Sequence, residues 1–105
     1  MASSQEYLDF ILKQLQGLGQ EISFRKMMGE YLLYYRGRLF GGIYDNRILL
    51  KPVQPALDFF ENPVYESPYP GAKSMLRIEE VEDAAFLCNL IEAAYPALPA
   101  SKKKR

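Results

Sequence analysis

Apolar positions along the chain change period twice, and the changes divide it into elements. Leu8, Ile11, Leu12, Leu15 and Leu18 recur at the i, i+3, i+4, i+7 spacing of one helical face. Ser3, with Glu6 three residues on, has the spacing of a capping box, and Gly17 and Gly19 supply an exit. This predicts a helix over 4–17. From Ile22 the period shortens to two. Segments 22–28, 30–35, 39–44 and 47–51 read as four strands, divided by Gly29, an Arg36-Gly37 turn and an Asp45-Asn46 turn. Pro52 withholds a ladder donor and ends the series. A short helix follows over 55–62, then a loop over 63–71 carrying Pro63, Pro68 and Pro70. Alternation returns over 74–79 as a last strand. The final helix, 80–95, is acidic in its first turn and apolar at Val81, Ala84, Ala85, Cys88, Ile91 and Tyr95 before Pro96 stops it. The expectation is one α+β domain, 1–97, with an antiparallel sheet packed against the N- and C-terminal helices, and a disordered basic tail over 98–105.

The hairpins also predict faces. A two-residue turn at Asp45-Asn46 sets Tyr44 opposite Arg47 and Ile43 opposite Ile48. Strict alternation then directs Leu39, Gly41, Ile43, Ile48 and Leu50 to the core. It leaves Tyr31, Leu33, Tyr35, Arg38, Phe40, Gly42, Tyr44, Arg47, Leu49 and Lys51 on the opposite face. Three readings fit that face. Tyr is an ordinary strand residue and Arg stems cover apolar neighbours. Tyr and Arg are also enriched in protein interfaces, which makes Tyr31, Tyr35, Arg38, Tyr44, Arg47 and Lys51 a candidate partner surface. Alternatively, Tyr31, Tyr35 and Tyr44 could stack the bases of a single-stranded nucleic acid, with phosphates on the arginines.

Composition narrows the class. A chain of 105 residues, 49% hydrophobic, holds one core. No apolar run approaches the roughly 20 residues of a membrane span. The start, MASSQEYLDF, lacks a charged n-region followed by an apolar run, so no secretory signal is expected. The single cysteine makes no internal disulfide, and a cytoplasmic setting is expected. Formal charge is zero, with 13 basic and 13 acidic residues. Lys102, Lys103, Lys104 and Arg105 lie in the tail, so the remainder is −4. Within it, segment 22–51 carries six basic residues against Glu30 and Asp45, a net +4 between acidic flanks.

No histidine is present, which removes the common catalytic triads and most zinc sites. Cys88 falls on the apolar stripe of the last helix and reads as a packed thiol. Glu79, Glu80, Glu82 and Asp83 sit at a helix start, where acidic groups are favourable without a ligand. Gly41-Gly42 falls inside a strand, where it admits a bulge or a close neighbour. No catalytic, cofactor-binding or metal-ligating set emerges, and no enzyme is expected. A small-ligand pocket would be sought first at the 63–71 loop, with Tyr65, Glu66 and Tyr69.

The order of helix, RKMMGEYLLYYRGRLFGGIYDNRILLKP, short helix, SMLRIEEVED and apolar helix resembles the N-terminal domain of the TfoX/Sxy family of bacterial competence regulators. That family shows a Met-Phe-Gly-Gly-like turn, and Met27-Met28-Gly29-Glu30 matches it at the first and third positions. Tyr34 or Tyr35, Gly37, Arg38, Phe40, Gly41, Leu49, Leu50 and Lys51 follow in the family's order. The likeness covers residues 4–95. It implies an α-β(3)-α-β(2)-α arrangement, one strand fewer before the short helix than the direct reading. It also implies a non-enzymatic role in gene regulation through protein contacts, with a transcription regulator or a second copy as partner and no membrane association. Full-length members carry a C-terminal helical domain for which these 105 residues leave no room.

Overall fold

The computed structural model describes residues 4–98. Helix α1, Gln5–Gln14, starts at Ser4, whose hydroxyl accepts the Tyr7 N–H at 3.1 Å. Ser3, the expected cap, lies outside the described residues. The helix ends three residues earlier than predicted. A 3₁₀ segment, Gln16–Glu21, carries the chain through Gly19 at φ 74°. Four strands then run as an antiparallel meander: β1 Ile22–Met27, β2 Glu30–Tyr35, β3 Arg38–Tyr44 and β4 Arg47–Leu50. Each connection is two residues long: Met28-Gly29, Arg36-Gly37 and Asp45-Asn46. All six turn residues sit at positive φ, the condition for type I′ turns, whose twist matches that of the strands they join.

One helical turn, α2 Gln54–Leu57, replaces the longer helix expected over 55–62. Strand β5, Tyr65–Glu66, lies inside the stretch expected to be loop, and β6, Met75–Ile78, follows. Helix α3, Ala84–Ala94, begins four residues later than predicted, because Asp83 caps it by accepting the Phe86 N–H at 3.0 Å. The acidic run therefore precedes the helix. Sheet order is β1-β2-β3-β4-β6-β5, antiparallel throughout. The fold is α+β, one antiparallel sheet packed against the terminal helices, with four strands before α2 and two after it.

One face of the sheet carries the core. Leu8, Ile11 and Leu15 from α1, and Leu87, Leu90, Ile91 and Ala94 from α3, bury against Leu33, Ile43, Ile48, Leu50, Leu76 and Ile78. The buried stripe of α3 differs from the expected one. It runs through Leu87, Leu90, Ile91 and Ala94, and leaves Ala85 exposed and Cys88 half-buried. Burial follows the larger aliphatic side chains, which gain about 1.5–3 kcal/mol each on leaving water. Leu98, expected in the tail, is buried with the core. Residues 99–105, including the KKKR run, lie outside the described residues.

Candidate interaction surface

The Asp45-Asn46 hairpin has the expected register, Ile43 opposite Ile48 and Tyr44 opposite Arg47. Extending that alternation into β2 fails. Tyr34 pairs with Leu39 but Leu33 pairs with Gly41, so Phe40 is an extra residue on β3 with no partner on β2. The bulge exchanges the faces of β2 relative to β3. Tyr31 and Tyr35 therefore lie under the helices, 4% and 2% exposed, on the opposite side of the sheet from Tyr44. Phe40, assigned by strict alternation to the open face, is also buried in the core.

The six candidate residues consequently divide. Tyr35 donates to Glu92 Oε2 at 3.2 Å and meets the Tyr95 ring edge-on, and burial pushes its hydroxyl pKa upward. Arg38 lies over the Tyr95 ring at 4.6 Å and donates to the Tyr95 and Leu98 carbonyls at 3.2 and 3.3 Å. It is therefore an internal tie at the end of α3. Lys51 is half-buried just past β4, its N–H donating to the Phe40 carbonyl at 2.8 Å. Tyr44 and Arg47 point to the face away from the helices.

On that face Arg47 pairs with Glu66 of β5, and Arg77 of β6 reaches the same carboxylate at 3.2 Å and Glu79 at 3.6 Å. Glu66 thus sits between two guanidinium groups and fastens the two-residue β5 to the sheet. From β5 the chain folds back across the open face. Pro68 and Tyr69 join Met27, Leu32, Tyr44 and the Met28 turn around an apolar groove of about 490 Å³, with Glu30 at its margin. Burial raises the Tyr44 pKa, helped by Tyr69, Glu30 and Tyr34. The 63–71 loop does form a concave surface, through Pro68 and Tyr69, while Tyr65 and Glu66 belong to β5.

Met28 stands out. It is 93% exposed at φ 53°, a left-handed position that Asn or Gly occupies more easily. Both its hydration and its backbone disfavour methionine there, by about 1 kcal/mol for the backbone alone.

The remaining candidates are structural. Cys88 donates weakly to the Gln14 carbonyl at 3.6 Å, and burial raises its pKa, which disfavours the reactive thiolate. The first of the two inner glycines is a close-approach site: a Cβ on Gly41 would fall 2.1 Å from the Leu49 carbonyl oxygen. Among the described residues no three His, Cys, Asp or Glu side chains converge on one point, and no helix is long and apolar enough to cross a membrane.

The sequence is 38% identical over 106 aligned residues to the "Uncharacterized 12.7 kDa protein in trpE 5'region" of Spirochaeta aurantia, covering 100% of this chain and 91% of that protein. The chain belongs to that protein's family. No family model matches it, and no solved structure matches it. At that level of identity over the whole length the two share their fold, and the 490 Å³ groove is a feature to compare between them.

Proposed function

We propose that this is a non-enzymatic, cytoplasmic domain of the TfoX/Sxy N-terminal kind that acts through protein contacts in gene regulation, using the open face of its sheet. The supporting observation is the apolar groove with Met28 at its mouth. A large apolar side chain held in water at an unfavourable φ lowers stability, and such a feature fits a surface used for contact. Methionine is well suited, since its flexible thioether adapts to a partner's shape. A single-stranded nucleic-acid platform has less support, because Tyr31 and Tyr35 are buried under the helices and Tyr44, on the other side of the sheet, is itself only 9% exposed.

The test is Met28→Asn. Asn-Gly is the preferred type I′ pair, so the variant is expected to be more stable by about 0.5–1 kcal/mol, raising Tm by roughly 2–8 °C. The same change removes the apolar mouth and is expected to abolish capture of host protein by the immobilised domain, compared side by side with the native chain. Undiminished capture by a stabilised Met28→Asn would refute the groove as the contact site.

A further inference from the structure

We propose that β1 is a docking edge, at which an extended acidic segment of a partner protein adds to the sheet as one more strand. This rests on the protein-contact reading above and gives it an edge, a backbone geometry and a charge.

β1 ends the sheet, and its pairing with β2 runs without a bulge from Ile22 to Met27. The two-residue turn makes Met27 and Glu30 a hydrogen-bonded pair, and alternation carries that pattern back to Glu21, whose carbonyl accepts the Arg36 N–H at 2.9 Å. The residues between therefore alternate. Ser23, Arg25 and Met27 spend their backbone groups on β2, while Ile22, Phe24 and Lys26 direct N–H and C=O outward. Edge strands are ordinarily blunted by proline, a bulge, brevity or charge. β1 has no proline, no bulge and a full six residues; its one such device is the charge of Arg25 and Lys26, which turns away a cationic strand and admits an acidic one. The opposite edge, β5, has two residues.

The side chains of β1 define the occupant. Every residue from Ser23 to Met27 is exposed. Phe24, 46% exposed, leans edge-on against Tyr31 on the helix side, and Met27, 48% exposed, borders the groove on the other. An added strand thus gains apolar contact on both of its faces. The charges in Ile22–Met27 are Arg25 and Lys26, with no carboxylate among the six residues. They fall on opposite faces, so glutamates or aspartates on an incoming strand meet a cation on either side. A second copy pairing through its own β1 would bring two further cations into the same short ladder, which disfavours self-addition. Main-chain bonds supply affinity in this mode, and the alternating pockets and charges supply selectivity.

The probe is a blocked peptide of alternating valine and glutamate, about nine residues long, titrated into the full chain at low salt and followed by amide-resolved NMR. The expected result is a downfield shift of the Ile22, Phe24 and Lys26 amide protons, with solvent exchange slowed about tenfold or more. The analogue with lysine in place of glutamate is expected to bind about tenfold more weakly. Lys26→Pro removes an outward N–H without touching a bond to β2 and is expected to lose the response while keeping a dispersed spectrum. Silent β1 amides, equal binding of the two peptides, or full binding by Lys26→Pro would each overturn the proposal. Should Lys26→Pro fail to fold, the comparison of the two peptides on the native chain decides alone. Shifts confined to Met28, Leu32, Tyr44 and Tyr69 would overturn the β1 edge yet leave the groove standing, and undiminished capture by Met28→Asn with an intact β1 response would do the reverse.

Discussion

Tyr35 shows how far a residue's role depends on one backbone irregularity. As part of an open tyrosine face it would be free to contact a partner; under α3 it is a buried hydroxyl bonded to Glu92. Its pKa is raised by burial, as are those of Tyr7 and Tyr44. A raised folded-state value means the folded protein holds the proton more tightly than the unfolded chain does. The contribution to stability is therefore complete below pH about 10, the unfolded value, and is lost as pH climbs through the raised values. Alkaline unfolding followed by far-UV circular dichroism should accordingly begin above pH about 10. Tyr35→Phe should move that transition to higher pH, and an unmoved transition would argue against a buried Tyr35 hydroxyl. Gly41 presents the opposite case, a residue whose importance lies in lacking a side chain. Gly41→Ala drives a Cβ into the Leu49 carbonyl and should cost about 3 kcal/mol in denaturant titrations.

At the scale of elements, the meander was legible because each of its signals is local. Period-two alternation and the Arg36-Gly37 and Asp45-Asn46 turns act within a few residues, and strands 22–50 follow from them. The Phe40 bulge was not legible, since nothing in RLFGGIY fixes which residue is extra. Gly41-Gly42 marks that something closely approaches, and only the packing of Phe40 into the core settles the register. The face assignment of Tyr31, Leu33, Tyr35 and Phe40 failed at that single point. Strand β5 was hidden for another reason. Two residues carry no periodicity, and their pairing comes from Glu66 reaching Arg47 and Arg77, partners far away in sequence. These ion pairs are partly exposed, so Glu66→Gln should cost only about 0.5–1 kcal/mol. The sharper readout is local: amide exchange at Arg77, whose N–H is held by the Val64 carbonyl at 2.8 Å, should accelerate in the variant and, with rising salt, in the native chain. Unchanged exchange would mean β5 is held by its backbone bonds alone.

Across the whole molecule, hairpin ends serve as moorings for the terminal helices. The Ser4 N–H, at the start of α1, donates to Asn46 Oδ1 at 2.8 Å in the β3–β4 turn. At the other end of the chain, Arg38 beside the β2–β3 turn holds the Tyr95 and Leu98 carbonyls. Arg36 adds a second guanidinium over Tyr95 at 5.6 Å. Arg38→Lys keeps the charge but loses the planar stack and the forked donors. It should cost about 1–2 kcal/mol and lower Tm by roughly 4–16 °C, with the first loss of exchange protection at the end of α3. Full retention of Tm would show the tie to be dispensable. The two borders of the sheet are unequal, six residues long on one side and a clamped two-residue stub on the other. Growth by strand addition is therefore one-directional: whatever joins at the long border presents its own far side outward, while the stub offers too little ladder to receive another molecule. A complex formed as proposed would therefore close at one guest per domain, since among the described residues head-to-tail polymerisation has no second border of that length from which to propagate.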